Sequence, residues 1–173
     1  LVSYIMNWDK GSDWTVEDLL AVNQFAQVPG GGAGRPEATA PGAGTNVEAV
    51  LEEVNATTGD PVRGEAIYTN KEWSQVADRL GCGGCHLNGS QGPVTDGTWD
   101  RVINERLADP ALANYTPEHY LVESILVPGA YIAPTYSDGV MPNNFGQRAS
   151  VQDIADIIAY LRTTSADYVA PPE

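Results

Sequence analysis

Basic residues are scarce in this chain: nine Lys and Arg stand against 23 Asp and Glu, for a net charge of −14. Nucleic acid needs a basic footprint on its phosphates, so this balance excludes it as a partner. Direct docking on anionic lipid is disfavoured for the same reason. Long apolar runs are also missing, and none approaches the ~20 residues of a membrane span. The chain begins at Leu1 rather than Met. It is therefore expected to be processed or trimmed, with a signal peptide or anchor left open outside it. Large apolar side chains vanish after Val28, and Gly, Ala and Pro dominate to Gly44. Such a stretch cannot bury a core of its own and reads as a linker or an extended strap, the alternative being a strap laid across a partner protein. Cysteine, histidine and methionine occur only twice each. Any site built on soft or imidazole donors must draw on very few residues.

Both cysteines and one histidine fall in a single pentapeptide, Cys82-Gly83-Gly84-Cys85-His86. C-x-x-C-H is the attachment signature of a c-type haem. The two thiols add to the porphyrin vinyl groups, and the histidine follows at once, so that its imidazole reaches the iron from the proximal side. The two middle glycines keep the backbone free of Cβ atoms where the macrocycle comes close. Zinc is the first rival, since Cys82, Cys85, His86 and His119 supply four ligands by count. The two histidines, however, are separated far more widely than the three to five residues of a zinc finger. A thioredoxin-like pair would need a βαβ setting, whereas the flanks of this motif read as helical.

At 173 residues and 42% hydrophobic, the chain suits one domain, or one domain with an arm. Leu1 to Ile5 repeats the pattern of Ile157 to Leu161. This reads either as the last helix of an upstream haem domain or as an N-terminal segment packed on the main one. A helix is expected from Thr15 to Gln27. Thr45-Asn46-Val47-Glu48 reads as a capping box before a stripe of Val47, Val50, Leu51 and Val54. Asn55-Ala56-Thr57 fits a glycosylation sequon. Asp60-Pro61 opens the main domain, with Asp as cap and Pro in the first helical position. Gly64 and Tyr68 share a helix face. A mid-helix glycine costs ~1 kcal/mol, and close approach by the C-terminal helix, with Tyr160 as the contact, is a reason to keep it. Lys71 to Leu80 reads as further helix.

Beyond the motif, a turn-rich loop leads to Pro93, whose carbonyl can accept from the free ring nitrogen of His86 and fix its tautomer. Short helices are expected from Trp99 to Leu107, with Val102 inward, and from a Thr116 cap, with Leu121, Val122, Ile125 and Leu126 as its stripe. Ser150 to Asp153 starts the last helix, and the tail from Asp167 reads as loose. The segment from Ala130 to Phe145 is aromatic, prolyl and non-periodic: an apolar loop that needs something to pack on, which the open face of a haem would provide. Met141 lies near its end, held out of helix by Pro142. A thioether is a soft, neutral donor, and Met/His ligation raises the reduction potential of haem iron. The alternative is Met141 as irregular core filler. His119 is a rival ligand, but it falls about 200° round its helix from Leu121 and reads as a solvent-exposed surface histidine. Tyr131, Tyr136, Trp99 and Arg148 are candidates for contact with the propionates or the ring.

Taken in order, Gly64…Tyr68, Cys82-Gly-Gly-Cys85-His86, Gly92-Pro93, Val140-Met141-Pro142 and Ile154 to Leu161 resemble the mono-haem class I c-type cytochromes. The resemblance covers about Asp60 to Thr164. It implies an all-α fold with crossed first and last helices and one covalent haem c between His86 and Met141. The gap from Tyr68 to Cys82 is longer than usual, which implies an insertion near Lys71–Arg79. The stretch Tyr120 to Ile132 looks like c-domains attached to membrane respiratory complexes, such as the mono-haem subunit of alternative complex III. The expected division is an arm over 1–57 and a cytochrome c domain over 58–173. The cofactor-binding set is Cys82, Cys85, His86, Met141 and Pro93, with His86 and Met141 on the metal. The expected function is electron transfer with no catalytic residue, on the extracytoplasmic (periplasmic) side. Its expected setting is a relay subunit of a respiratory or photosynthetic membrane complex, attached through partner subunits or an unseen anchor. The acidic charge suits steering toward a basic patch on a redox partner, or solubility alone. A soluble mobile carrier is one alternative. A haem enzyme or gas sensor with an open distal site is another, although no distal acid–base pair stands out to support it.

Overall fold

The computed structural model describes residues 34–170. The chain divides into two compact units, Leu1–Pro36 and Glu37–Glu173. The repeat at 1–5, the helix expected over 15–27 and Met6 lie outside the described residues. Among the described residues the structure is helical, with turns and no strand: α1 (Val47–Asn55), α2 (Pro61–Tyr68), α3 (Cys82–His86), α4 (Thr98–Arg101), α5 (Pro117–Leu126), α6 (Phe145–Arg148) and α7 (Val151–Thr163). A π-helical turn, Val102–Arg106, continues α4, and a 3-10 turn covers Pro110–Leu112.

The frame is a crossing of α2 on α7. Asp60 caps α2, its carboxylate accepting from the N–H groups of Val62 and Arg63, and Pro61 takes the first position. Gly64 stands where the helices meet. A Cβ there would run into the backbone carbonyl of Asp156 and sit 3.0 Å from the Cβ of Tyr160. Tyr68, one turn on, packs its ring against Tyr160 with centroids 5.4 Å apart. α7 begins with a complete capping box between Ser150 and Asp153. It buries Ile154, Ala155, Ile157, Ile158 and Leu161 against Ile67, Leu121, Val122 and Leu126.

Two expectations need correction, and α1 has a different setting from the arm expected over 1–57: it belongs to the same compact unit as the remainder from Glu37 on. Val50 and Val54, 2% and 5% exposed, join the core, and Val47 and Leu51 pack against it. α5 and α7 of this same unit cover the apolar stripe of α1. The cap of α1 is also Asn46 rather than Thr45: the Asn46 side chain accepts from the Ala49 N–H. Finally, Lys71 to Leu80 is not helical but a run of turns. Asn70 and Ala77 adopt left-handed backbone, at φ 61° and 59°. Tertiary bonds decide this segment: the Gln75 N–H donates to the Asp153 carboxylate at 2.9 Å and Ser74 Oγ to the Arg148 carbonyl at 2.7 Å.

From Thr39 to Gly44, the Gly/Ala/Pro strap is tied to the rest of its own unit. Thr39 N–H donates to the Gln75 carbonyl at 2.7 Å, and Ala43 and Gly44 donate to the carbonyls of Ala149 and Gly146, each at 2.8 Å. With no large apolar side chain over that stretch to bury, it is held mainly by these backbone bonds.

A buried ionic cluster joins α2 to α7. Arg63 sets its guanidinium against Asp153 (2.5 Å) and Asp156, whose side chains are 0% and 1% exposed. Burial alone lowers the pKa of Arg63, but the hydrogen bonds and charges of the two carboxylates outweigh it and raise the pKa above its ordinary value. Asp156 also accepts from the Asp60 N–H at 2.8 Å and from Gln152 Nε2 at 2.7 Å. Sequence reading placed Asp153 only as a cap and missed the cluster, although two acids three apart among the aliphatics of α7 were a visible signal.

Candidate haem-binding site

α3 is a single turn that begins after Gly81. That glycine is left-handed at φ 72°, a conformation that costs it little, and its N–H donates to Asn70 Oδ1 at 2.9 Å. The turn seats Cys82, Cys85 and His86 on one side of an apolar cavity with two adjoining lobes. Met141, from the loop before α6, lines both lobes, as do Cys82, His86, Pro93, Tyr120 and Phe145. Thus the five residues expected to bind the cofactor are brought together, Cys85 on the outer lobe alone. α5 contributes Tyr120 and Ser124 to both lobes. These two were not singled out from sequence, though their i, i+4 spacing marks a second inward stripe beside Leu121 and Ile125.

His86 is fixed from behind. Its Nδ1 lies 2.8 Å from the Pro93 carbonyl. A carbonyl can only accept, so Nδ1 carries the proton and the lone pair is left on Nε2. Gly92 packs flat against the imidazole: a Cβ there would come within 2.8 Å of Nδ1 and 3.0 Å of Nε2. Burial pushes the Cys82 thiol up to about 11, with the Arg148 charge and a backbone hydrogen bond opposing it in part. Cys82 is therefore a protonated thiol at neutral pH rather than a thiolate. Cys85 Sγ is 3.6 Å from Gln91 Oε1.

The other candidates divide. Tyr131 and Tyr136 line the outer lobe. The Tyr131 hydroxyl donates to Asp109 Oδ2 at 3.1 Å, and burial together with that carboxylate raises its pKa. Trp99 lines neither lobe; it is buried under the guanidinium of Arg162, 4.6 Å from its ring centroid. Arg148 is likewise off the cavity wall, bonded to Asp78 at 3.1 Å and to the Arg79 carbonyl at 2.6 Å. His119 also stays off both lobes, but it is not the solvent-exposed histidine expected. Its side chain is 16% exposed, stacked on Tyr115 at 3.8 Å and set 3.5 Å from Glu48. The docking of α1 on α5 covers it.

The donor set fits a haem. Two thiols lie one helical turn apart, an imidazole presents a lone pair with its tautomer fixed, and a thioether shares the same apolar enclosure. Among the described residues no cluster of three or more His, Cys, Asp or Glu could hold a metal ion directly, so the zinc alternative has no supporting geometry there. No described helix is long and apolar enough to cross a membrane. A family model described as cytochrome c matches residues 61–165. Searches of curated proteins and of solved structures return no significant match.

Proposed function

Because the chain belongs to the cytochrome c family, and so serves electron transfer by a haem, we propose that it holds one covalent haem c with His86 and Met141 as axial ligands. The observation that carries this reading is that His86 and Met141 line both lobes of one cavity with the two cysteines on its wall. When bound, the haem supplies a one-electron ferrous/ferric couple. The chain's own residues do the rest. Cys82 and Cys85 hold the group by thioether bonds. His86 donates from Nε2 while the Pro93 carbonyl keeps Nδ1 protonated and the ring in place. Met141 would offer the iron a neutral sulfur, which would favour the reduced state. The apolar wall of Leu80, Tyr120, Ile132 and Phe145 excludes water. With His86 and Met141 both holding the iron, no position on it would be left for a substrate. This favours a carrier over an enzyme or gas sensor.

We further place the protein on the extracytoplasmic side, as a relay subunit of a membrane electron-transfer complex reached through partner subunits or an anchor. The charge of −14 supports steering to a basic redox partner. The mobile carrier is the competing outcome. Isolation from gently solubilised membranes separates them: co-purification with other redox subunits supports the relay, and free monomer in every fraction refutes it. For the ligands, Met141→Ala is expected to abolish the red ferric sulfur-to-iron absorption band, lower the potential and admit cyanide. A wild type lacking that band, or a variant with an unchanged potential, would contradict the assignment.

A further inference from the structure

We propose that the buried hydroxyl pair Tyr68–Thr95 is a positioning device for His86 that sets the strength of its bond to Pro93, and through it the reduction potential. The proposal rests on the reading of His86 as an iron ligand. Tyr68 ends α2, and its hydroxyl lies 2.9 Å from Thr95 Oγ1. Both residues are buried, at 5% and 4% exposure. Each is therefore the partner that keeps the other's hydroxyl from being buried unsatisfied.

Thr95 is two residues beyond Pro93 and closes the same loop. Its N–H donates to the His86 carbonyl at 2.8 Å, while the Pro93 carbonyl accepts from His86 Nδ1, also at 2.8 Å. Backbone and imidazole of His86 are thus clamped by one short segment. That segment is tied by the Thr95 side chain to the end of the helix that crosses α7. Tyr68 also stands directly behind the motif. A Cβ on Gly83 would lie 3.2 Å from the Tyr68 carbonyl, and the Tyr68 ring is 6.4 Å from that of His86. Arg101 and Thr98 hold the outer side of the loop through the Val94 carbonyl, Thr98 Oγ1 at 3.1 Å. The Tyr68–Thr95 pair is the tie on the inner side.

Hydrogen bonding at the non-ligating nitrogen makes the imidazole a stronger donor and so favours the oxidised metal. Freeing the loop weakens that bond and raises the potential. The test uses the haem-loaded protein with Tyr68→Phe, Thr95→Val and the double replacement. Three quantities are read: the potential, exchange of the His86 Nδ1–H with solvent, and the urea midpoint. Both single variants are expected to raise the potential and speed exchange. The double variant, with neither hydroxyl left unpaired, should regain most of the urea midpoint yet keep the shifted potential. A pair that merely holds the fold would move the midpoint alone. A normal wild-type spectrum with unchanged potential and exchange in both single variants overturns this proposal and leaves the axial assignment standing. A wild type whose His86 ring signals show no contact with iron overturns both.

Discussion

Replacement of Arg63 by Met tests the ionic cluster on which the α2–α7 crossing depends. Two carboxylates, Asp153 and Asp156, are fully buried, and the guanidinium of Arg63, itself 21% exposed in its side chain, is the cation set against both. Removing one partner of a buried pair typically costs about 3–5 kcal/mol, because a charge is left in a medium that cannot solvate it. Here the remaining donors temper the loss. Asp153 keeps the N–H groups of Gln75 and Ser150 at 2.9 and 2.8 Å, and Asp156 keeps those of Asp60 and Gln152. The lower end, about 3 kcal/mol, is therefore expected. For a domain of this size that is a fall in Tm of about 12 °C, taking ~4 °C per kcal/mol. Urea unfolding of the oxidised haem-loaded protein, followed by far-ultraviolet circular dichroism, measures it through the midpoint at constant slope. Met keeps the unbranched apolar stem of Arg and removes only the guanidinium end, so most of the loss is assigned to the charge and its hydrogen bonds rather than to packing of the stem. A loss under ~1 kcal/mol, the range of an exposed pair, would show that water reaches the carboxylates and would refute the cluster as a structural element.

Two further outcomes follow from local geometry. Gly92→Ala places a methyl group on the His86 ring, at 2.8 Å from Nδ1, and is expected to break the bond to Pro93 and the low-spin spectrum with it; a wild-type spectrum in the variant would refute the packing. The Asp100 carboxylate accepts from Ser165 Oγ at 2.6 Å and the Ala166 N–H at 2.9 Å, and these bonds hold its pKa below the ordinary 3.8. Since the folded pKa is the lower one, this tether is present above ~4 and is lost only as pH falls through the depressed value. The Ala166 amide shift should titrate with a midpoint below 3.8 and lose that step in Asp100→Asn; a midpoint at or above that value overturns the tether.

The features legible in the sequence were those a few neighbouring residues decide. Asp60-Pro61, Thr116-Pro117 and Ser150…Asp153 each start a helix where expected, because a cap needs only its own first turn. Gly64 was legible through its cost, which only a close neighbour explains. The His86–Pro93 bond was legible because its partners stand only seven positions apart, a span that one tight loop can close. What failed required knowledge of distant chain. The turns at 71–80 lose helix to bonds with α7, and the stripe of α1 does not say which surface covers it. The helix of His119 alone points it to solvent, whereas α1 brings Glu48 to 3.5 Å and Tyr115 stacks on its ring, leaving it partly covered. The same limit explains Tyr68 and Thr95. The helix face that Tyr68 shares with Gly64 says nothing of its hydroxyl, and nothing local marks Thr95; only the fold, by closing the loop behind the motif, makes their hydroxyls partners. The donors of this site are therefore written locally, while the groups that hold them are written across the domain. Substitutions that keep every ligand can still alter the site, provided they fall on α2 or on the loop from Gly92 to Thr95.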